Sequence, residues 1–299
     1  MPKHHLLRLA LLLGALLTAC ARTPPPSSQA LTKETPETIL EPTAAASVRY
    51  NGVWIKSSLP TRTVIGWEQG HFVAEDARLT ALGYALVDLS AFDLPGHGVR
   101  YNAVWKKGVS TDRRWVAGWA SGHFWPKYNE LTEAGYCLDV FNAFAVPGDF
   151  RYNAVWRRCG VKPSFTPSLE AQWLTEDVAS NAAKGRHLKR LSSRVQNGFH
   201  YYTVLYTPQS EIQPWIAGWE QGHFAAEEAR LRAQGYGLKE LQATVLSGNA
   251  VRYDALWTKS SAFRPARWGH TQADFQVALD TLGQQGYVPL TVSAFVMTN

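Results

Sequence analysis

Val99-Arg100-Tyr101-Asn102-Ala103-Val104-Trp105 places Val99, Tyr101, Ala103 and Trp105 on one side of an extended chain, and Arg100, Asn102 and the following Lys106 on the other. That period of two describes a strand with one buried face. The string is written again as Arg49-Tyr50-Asn51-Gly52-Val53-Trp54 and as Arg151-Tyr152-Asn153-Ala154-Val155-Trp156. It returns more loosely as His200-Tyr201-Tyr202-Thr203-Val204-Leu205 and as Arg252-Tyr253-Asp254-Ala255-Leu256-Trp257. Aligned this way, its tyrosines follow one another at 51, 51, 49 and 52 residues. Such a period means tandem supersecondary units, each too small to bury its own apolar face.

Two further landmarks keep the same beat. GWEQGHF at 66–72 returns as GWASGHF at 118–124 and GWEQGHF at 218–224, and Gly-Tyr stands at 83–84, 135–136, 235–236 and 286–287. Between them, Phe72 to Leu82 has apolar residues at helical spacing, and Gly83 stands where a helix ends in a left-handed residue. Ala85 to Phe92 reads as a strand that Pro95-Gly96 turns back into the next RYNAVW string. The expected fold is therefore α+β, five tandem strand-loop-helix-strand repeats joined by β-hairpins, at 47–98, 99–150, 151–198, 199–250 and 251–299. Strand 49–55 lacks a hairpin partner before it and strand 288–296 lacks one after it. Pairing these two would close the array into a ring and hide both edges.

Of 299 residues, 45% are hydrophobic, and 12 are Trp, 12 Tyr and 12 Phe. That aromatic content excludes a mostly disordered chain. The net charge of +6, or +4 without Lys3 and Arg8, is too small to mark a nucleic-acid binder. The one long apolar stretch lies at the N-terminus, where Lys3 and Arg8 precede Leu9 to Leu17, too short to span a bilayer. Leu17-Thr18-Ala19-Cys20 resembles a lipobox, which implies a signal peptide at 1–19, lipidation of Cys20 and a chain exported and anchored to a membrane of the cell envelope. Ala21 follows the cysteine, so no Asp stands there to argue for inner-membrane retention, and inner membrane, outer membrane and surface display all stay open. Residues 20–46 carry five Pro among Thr, Ser and Glu, an extended tether of roughly 80 Å at about 3 Å per residue.

Cys137 and Cys159 flank the hairpin at Val146-Pro147-Gly148-Asp149. Centred on Gly148, the hairpin opposes residues whose numbers sum to about 296, so Cys137 faces Cys159 and Asp139 faces Arg157. A disulfide is expected in an exported chain.

The ordered recurrence of RYNAVW, G-W-x-x-G-H-F, a helix, Gly-Tyr and a hydrophobic strand resembles the bacterial tandem repeat domain. That repeat also forms the N-terminal part of polyglycine hydrolases, ahead of a β-lactamase-like serine hydrolase domain. The resemblance implies an accessory or recognition region. It lends no catalytic residue, because no serine of this chain has Lys three places on. The third copy departs, with Gln172-Trp173-Leu174 for the GWxxGHF string and Gly185-Arg186 for Gly-Tyr. The fifth carries Trp268-Gly269-His270 two residues out of step.

Motifs for nucleotide loops, nucleophile elbows and zinc helices are missing, and no cofactor or metal is expected. His71 with Glu75 and His223 with Glu227 have helical spacing for a metal, but the second copy has Lys127 at that place, so a structural histidine is the plainer reading. Trp54, Trp105, Trp156 and Trp257 belong to the core. Trp67, His71, Trp119, His123, Trp219 and His223, in loops beside Gly, are the candidate ligand contacts. Arg49, Arg100, Arg151 and Arg252 recur on the polar face, as an inner ring of charge or as ion-pair partners of neighbouring Asp. The function these features favour is a non-enzymatic binding module for a cell-envelope polymer, a peptide or an envelope protein. The alternatives are a hydrolase acting on peptide or peptidoglycan, using His187, His200 and Glu170 of the third copy, and a structural scaffold.

Overall fold

A computed structural model describes residues 46–209, 211–260 and 262–298. Cys20, the signal peptide and the tether up to residue 45 lie outside the described residues. The chain enters as β1 (Ala46–Lys56). The first repeat follows as β2 (Thr61–Trp67), α1 (Gln69–Ala81), β3 (Tyr84–Leu94) and β4 (Gly98–Lys107). The second is β5 (Arg113–Trp119), α2 (Ser121–Glu133), β6 (Tyr136–Val146) and β7 (Asp149–Arg158). The third is β8 (Ser164–Glu170), a 3-10 turn (Ala171–Trp173), α3 (Leu174–Ala183), β9 (Arg186–Gln196) and β10 (Phe199–Pro208). The fourth is β11 (Trp215–Trp219), α4 (Gln221–Ala233), β12 (Tyr236–Val245) and β13 (Val251–Lys259). The last is β14 (Ala266–His270), α5 (Gln272–Gln284) and β15 (Tyr287–Thr298). Among the described residues no helix is long and apolar enough to cross a membrane.

These strands make five antiparallel three-stranded sheets, ordered β2-β4-β3, β5-β7-β6, β8-β10-β9, β11-β13-β12 and β14-β1-β15. The stretch expected as a variable loop is thus itself a short outer strand. Its alternation is broken by a bulge before the tryptophan of GW, which hides the period of two. The RYNAVW strand is the middle of every sheet, and it comes from the following sequence period. β1 accordingly sits in the middle of the last sheet, paired with β15 from Ala46↔Thr298 to Lys56↔Tyr287 and with β14 at Tyr50↔His270. Residues 49–55 and 288–296 are therefore paired as expected, while the five sheets stay separate and form no continuous barrel.

Register corrects two alignments. In β10 it is Thr203, opposite Ser192, that matches Asn102 opposite Ser90, so Tyr202 and not Tyr201 is the repeat tyrosine. In β14 the left-handed residue is Gly269 (φ 67°), matching Gly66 (φ 68°), so His270 takes the place of Trp67 and the fifth copy is in step.

Apolar packing crosses from one repeat to the next. Phe72 stacks on Tyr101 at 5.5 Å, and Trp105 is fully buried with them, as are Trp54, Trp156 and Trp257 in their own sheets. The cluster under α1 is completed by Val140, Phe144 and Val155 from the second sheet. Leu205 does this for the second cluster, Leu256 for the third and Val53 for the fourth. In the fifth, Tyr50, Trp54 and Phe275 pack against Ile65, Phe92, Leu94 and Val104 of the first sheet. Buried indole N–H groups are met by helix carboxylates where the helix supplies one. Asp76 accepts from Trp105 and Trp115 at 2.8 Å, and Glu228 accepts from Trp257 at 2.6 Å. Four residues after Phe124 and Phe275 the helices carry Tyr128 and Leu279 instead, and the indoles of Trp156 and Trp54 have no partner.

Cys137 and Cys159 form a disulfide, with Cα atoms 5.8 Å apart. The expected register is off. A bulge between Leu138 and Val140 leaves Asp139 unopposed and sets Cys137 against Arg157, so the bridge reaches one residue beyond the end of β7. Asp139 still accepts from Arg157 Nε at 3.1 Å. Replacing both cysteines with Ser is expected to lower unfolding free energy by roughly 2–4 kcal/mol, read from urea midpoints under non-reducing conditions. An unchanged midpoint would show that the bridge constrains nothing.

Candidate functional site

The GW string is a strand end pinned by the neighbouring middle strand. Gly66 turns left-handed, and its N–H donates to Asn102 Oδ1 at 3.0 Å. The same bond joins Gly118 to Asn153 (2.8 Å), Gly218 to Asp254 (2.8 Å) and Gly269 to Asn51 (3.0 Å). On its other side Asn102 Nδ2 donates to Ser90 Oγ (3.1 Å), Asn153 Nδ2 to Asn142 Oδ1 (3.0 Å) and Asn51 Nδ2 to Ser293 Oγ (3.3 Å). One buried amide thus holds outer, middle and inner strands in register. The third repeat departs here too: Thr203 replaces the amide, its hydroxyl has no partner, and Ser168 takes the left-handed place.

The pinned bulge delivers the tryptophan to the mouth of the helix. The Trp67–His71, Trp119–His123 and Trp219–His223 rings meet edge-on at 6.4, 6.4 and 6.3 Å, and all three histidines are exposed. Trp67 and Trp119 also lean on their own cores, whereas Trp219 is 40% exposed. Each pair stays within its own repeat. Glu75 is held by Arg62 and Arg78, and Glu227 by Arg230. The repeated arginines are engaged as well: Arg100 with Glu68 (3.0 Å), Arg252 with Glu220 (3.1 Å), Arg151 with Asp149, and Arg49 with the carbonyl of Val48. Two of these partners are the glutamates of GWEQ rather than aspartates.

Strand register carries these tryptophans toward a second feature. Trp67 lies opposite Tyr101, which lies opposite Ala91; the other rows are Trp119–Tyr152–Ala143, Leu169–Tyr202–Ser193, Trp219–Tyr253–Ala243 and His270–Tyr50–Ala294. The inner end of every row lines one cavity of about 190 Å³, shared by β3, β6, β9, β12 and β15. Those five strands pack in succession, β3 on β6, β6 on β9, β9 on β12, β12 on β15 and β15 on β3.

Each inner strand is a sheet edge, and side chains of neighbouring repeats meet unpaired N–H groups of β3, β9 and β15. Ala91 N–H donates to Asn142 Oδ1 (3.1 Å) and Ser193 N–H to Gln242 Oε1 (3.4 Å). Leu191 N–H donates to Glu240 Oε2 (3.1 Å) and Val292 N–H to Asp88 Oδ2 (3.0 Å). Arg190 bridges Asp88 and Glu240, 3.2 Å from each. Burial pushes the Asp88 carboxyl up to about 6 against the pull of Arg190. Asp254 is likewise raised to about 6 by burial, against bonds from Ser193, Gly218 and Tyr202. Burial alone would raise Asp139 too, but Lys189, Arg190 and Arg113 hold it well below the usual carboxylate range.

The third-copy residues considered for hydrolysis are not assembled. His187 lies opposite Thr207 and His200 opposite Val195, at opposite ends of the β9–β10 hairpin. Glu170 is exposed and bonded to Gln172. His200 is lowered to about 4 by burial, and its Nε2 has no partner.

Residues 72–108, 126–158, 224–260 and 265–298 match a family model described as polyglycine hydrolase-like, structural repeat. The chain is a tandem array of that structural repeat. The first three matched segments begin on a helix and end on or just past a middle strand, so they follow the frame of the sheets rather than that of the RYNAVW period. The third repeat lies outside the matches yet has the same succession of elements. No curated protein matches the chain.

A carboxyl raised in the folded state stabilises below the unfolded value and loses that contribution as pH rises through the folded one. Wild type should therefore gain about 1 kcal/mol over Asp88→Asn when pH falls from 7 to 5. His200 works in the opposite sense, so the difference between the two urea midpoints is the readout. A difference independent of pH would contradict the assignment.

Proposed function

We propose that this protein is exported, is held to a membrane through a lipidated Cys20, and uses a closed array of five repeats to bind a polymer, peptide or protein of the cell envelope without transforming it. The observation that carries this reading is the threefold recurrence of one Trp–His pair in one geometry, with the histidine exposed each time and the indole half-buried or exposed. Indole rings held by a pinned bulge can present a face to sugar rings or peptide groups. Linked copies convert weak single contacts into avidity. Pairing of β1 with β15, and packing of the fifth cluster on the first sheet, support closure.

The test is co-sedimentation of the full-length protein with insoluble cell-wall material at low and high salt. Pelleting is expected to survive high salt, to weaken up to about tenfold in Trp67→Ala, Trp119→Ala or Trp219→Ala, and to vanish in the triple variant. Pelleting lost at high salt would reduce the interaction to net charge. A triple variant that pellets like wild type would remove the tryptophans from the site.

A further inference from the structure

The end of the array away from the cavity carries a pattern that the fold does not call for. The second halves of all five inner strands line the cavity, so their starts gather at the other end. There the middle strands finish, with Lys56 opposite Tyr287, Lys107 opposite Tyr84, Arg158 opposite Tyr136 and Lys259 opposite Tyr236. The chain then turns into the next outer strand, through 56–62, 106–114, 157–163, 207–214 and 259–267. Four of these turns present one apolar side chain at the same place. Leu59, Val161, Ile212 and Phe263 are separated by multiples of 51 residues, and Ser110 completes the series. They are 38%, 62%, 74% and 54% exposed, and none belongs to a core cluster among the described residues. One exposed apolar residue is ordinary. The same choice in four of five equivalent turns, around one end, marks an interaction surface.

Charge is concentrated on the same turns. They carry twelve Lys and Arg against Asp112 and Glu211, while the rest of residues 46–298 is net acidic. Asp112 is taken up by Arg114 and Arg158, and Glu211 accepts the backbone N–H of Lys259. Lys56, Lys107, Arg158 and Lys259 lie over the Gly-Tyr rings of their own sheets, at 4.6, 5.7, 4.1 and 4.4 Å, and all four stay exposed. Tyrosine bodies beside lysine and arginine heads are the pairing that suits the boundary between water and lipid.

The two features together select the partner. Apolar tips set among cations can enter the boundary between headgroups and acyl chains while the cations meet anionic headgroups. A soluble acidic chain would answer the cations and leave the separate tips in water. We propose that this end of the array lies on a membrane containing anionic lipid, with Leu59, Val161, Ile212 and Phe263 entering the headgroup region. The rows through Trp67, Trp119 and Trp219 run to the cavity, so the Trp–His pairs then face away from the lipid. This surface goes beyond the binding reading and needs neither Cys20 nor the tryptophans.

All five sheets and core clusters lie within 46–298, so a fragment of residues 40–299 holds the whole fold without the signal peptide or Cys20. It is floated with vesicles of phosphatidylcholine and with vesicles of phosphatidylcholine and phosphatidylglycerol in equal parts. Binding to the mixed vesicles is expected, and about tenfold or more weaker binding to phosphatidylcholine alone. Lys107→Gln and Lys162→Gln should each weaken it about fivefold, and Ile212→Ser with Phe263→Ser about tenfold or more. Phe199→Ser, 63% exposed at the cavity end, should bind like wild type. No binding to the mixed vesicles, equal binding to both kinds, or no effect of the lysine changes would each overturn the proposal. So would a loss in Phe199→Ser as large as that in the Ile212 and Phe263 variant. Undiminished binding by that double variant would leave a surface for any polyanion, an acidic protein included, and would overturn it too. The double variant should still pellet with cell-wall material, so loss of lipid binding and loss of wall binding are separate results.

Discussion

A sheet whose middle strand belongs to the next sequence period cannot be completed inside one period, and the rest of the architecture follows from that constraint. A middle strand bonds on both sides. Placing β4 between β2 and β3, and β1 between β14 and β15, ties each sequence period to the next through backbone hydrogen bonds, and apolar packing then joins sheet to sheet. The buried amides of Asn51, Asn102 and Asn153 reinforce this by reaching both flanking strands at once. A change at such an amide disturbs three strands, whereas a change at an exposed helix position such as Val277 disturbs little.

The same constraint explains the polar axis. With the RYNAVW strand in the middle, the Gly-Tyr strand is left as an edge, and five such edges gather around one cavity. Unpaired strand edges are hazards unless they are covered. Here they are covered by side chains from neighbouring repeats: Asn142, Gln242, Glu240 and Asp88 each take an N–H from the next edge. Arg190 then balances the two carboxylates. Buried charge is in this way a product of the topology.

Much of this was legible in the sequence. Alternation in VRYNAVW, helical spacing from Phe72 to Leu79 and the Gly-Tyr beat gave strand, helix and strand, and the unpartnered ends gave the pairing of first and last strands. The outer strand was missed because the bulge at Gly66 breaks the period of two within seven residues. In the third repeat, Tyr201 and Tyr202 offer two alignments, and only pairing with β9 chooses between them. The Cys137–Cys159 bridge was legible, but its register was not, because no residue type announces the bulge at Asp139. Among candidate site residues, each tryptophan of the GW string meets the histidine four places on, a contact that the motif alone did not announce. The cavity went unseen, since it is made by five strands roughly fifty residues apart. A signal did exist: Asp88 and Asp139 are charges set in the middle of mostly apolar strands.

The central claim is that β1 is as much an interior strand as β4 or β7, although it lies far from its partners in sequence. Native-state hydrogen exchange measures this directly, since amides of an interior strand exchange only when the whole cooperative unit opens. The account predicts that amides of residues 48–55, and of their partners in β15, have the same opening free energy as those of β4 and β7. Fast exchange confined to β1 and β15, with full protection elsewhere, would contradict it and leave a linear array with frayed ends.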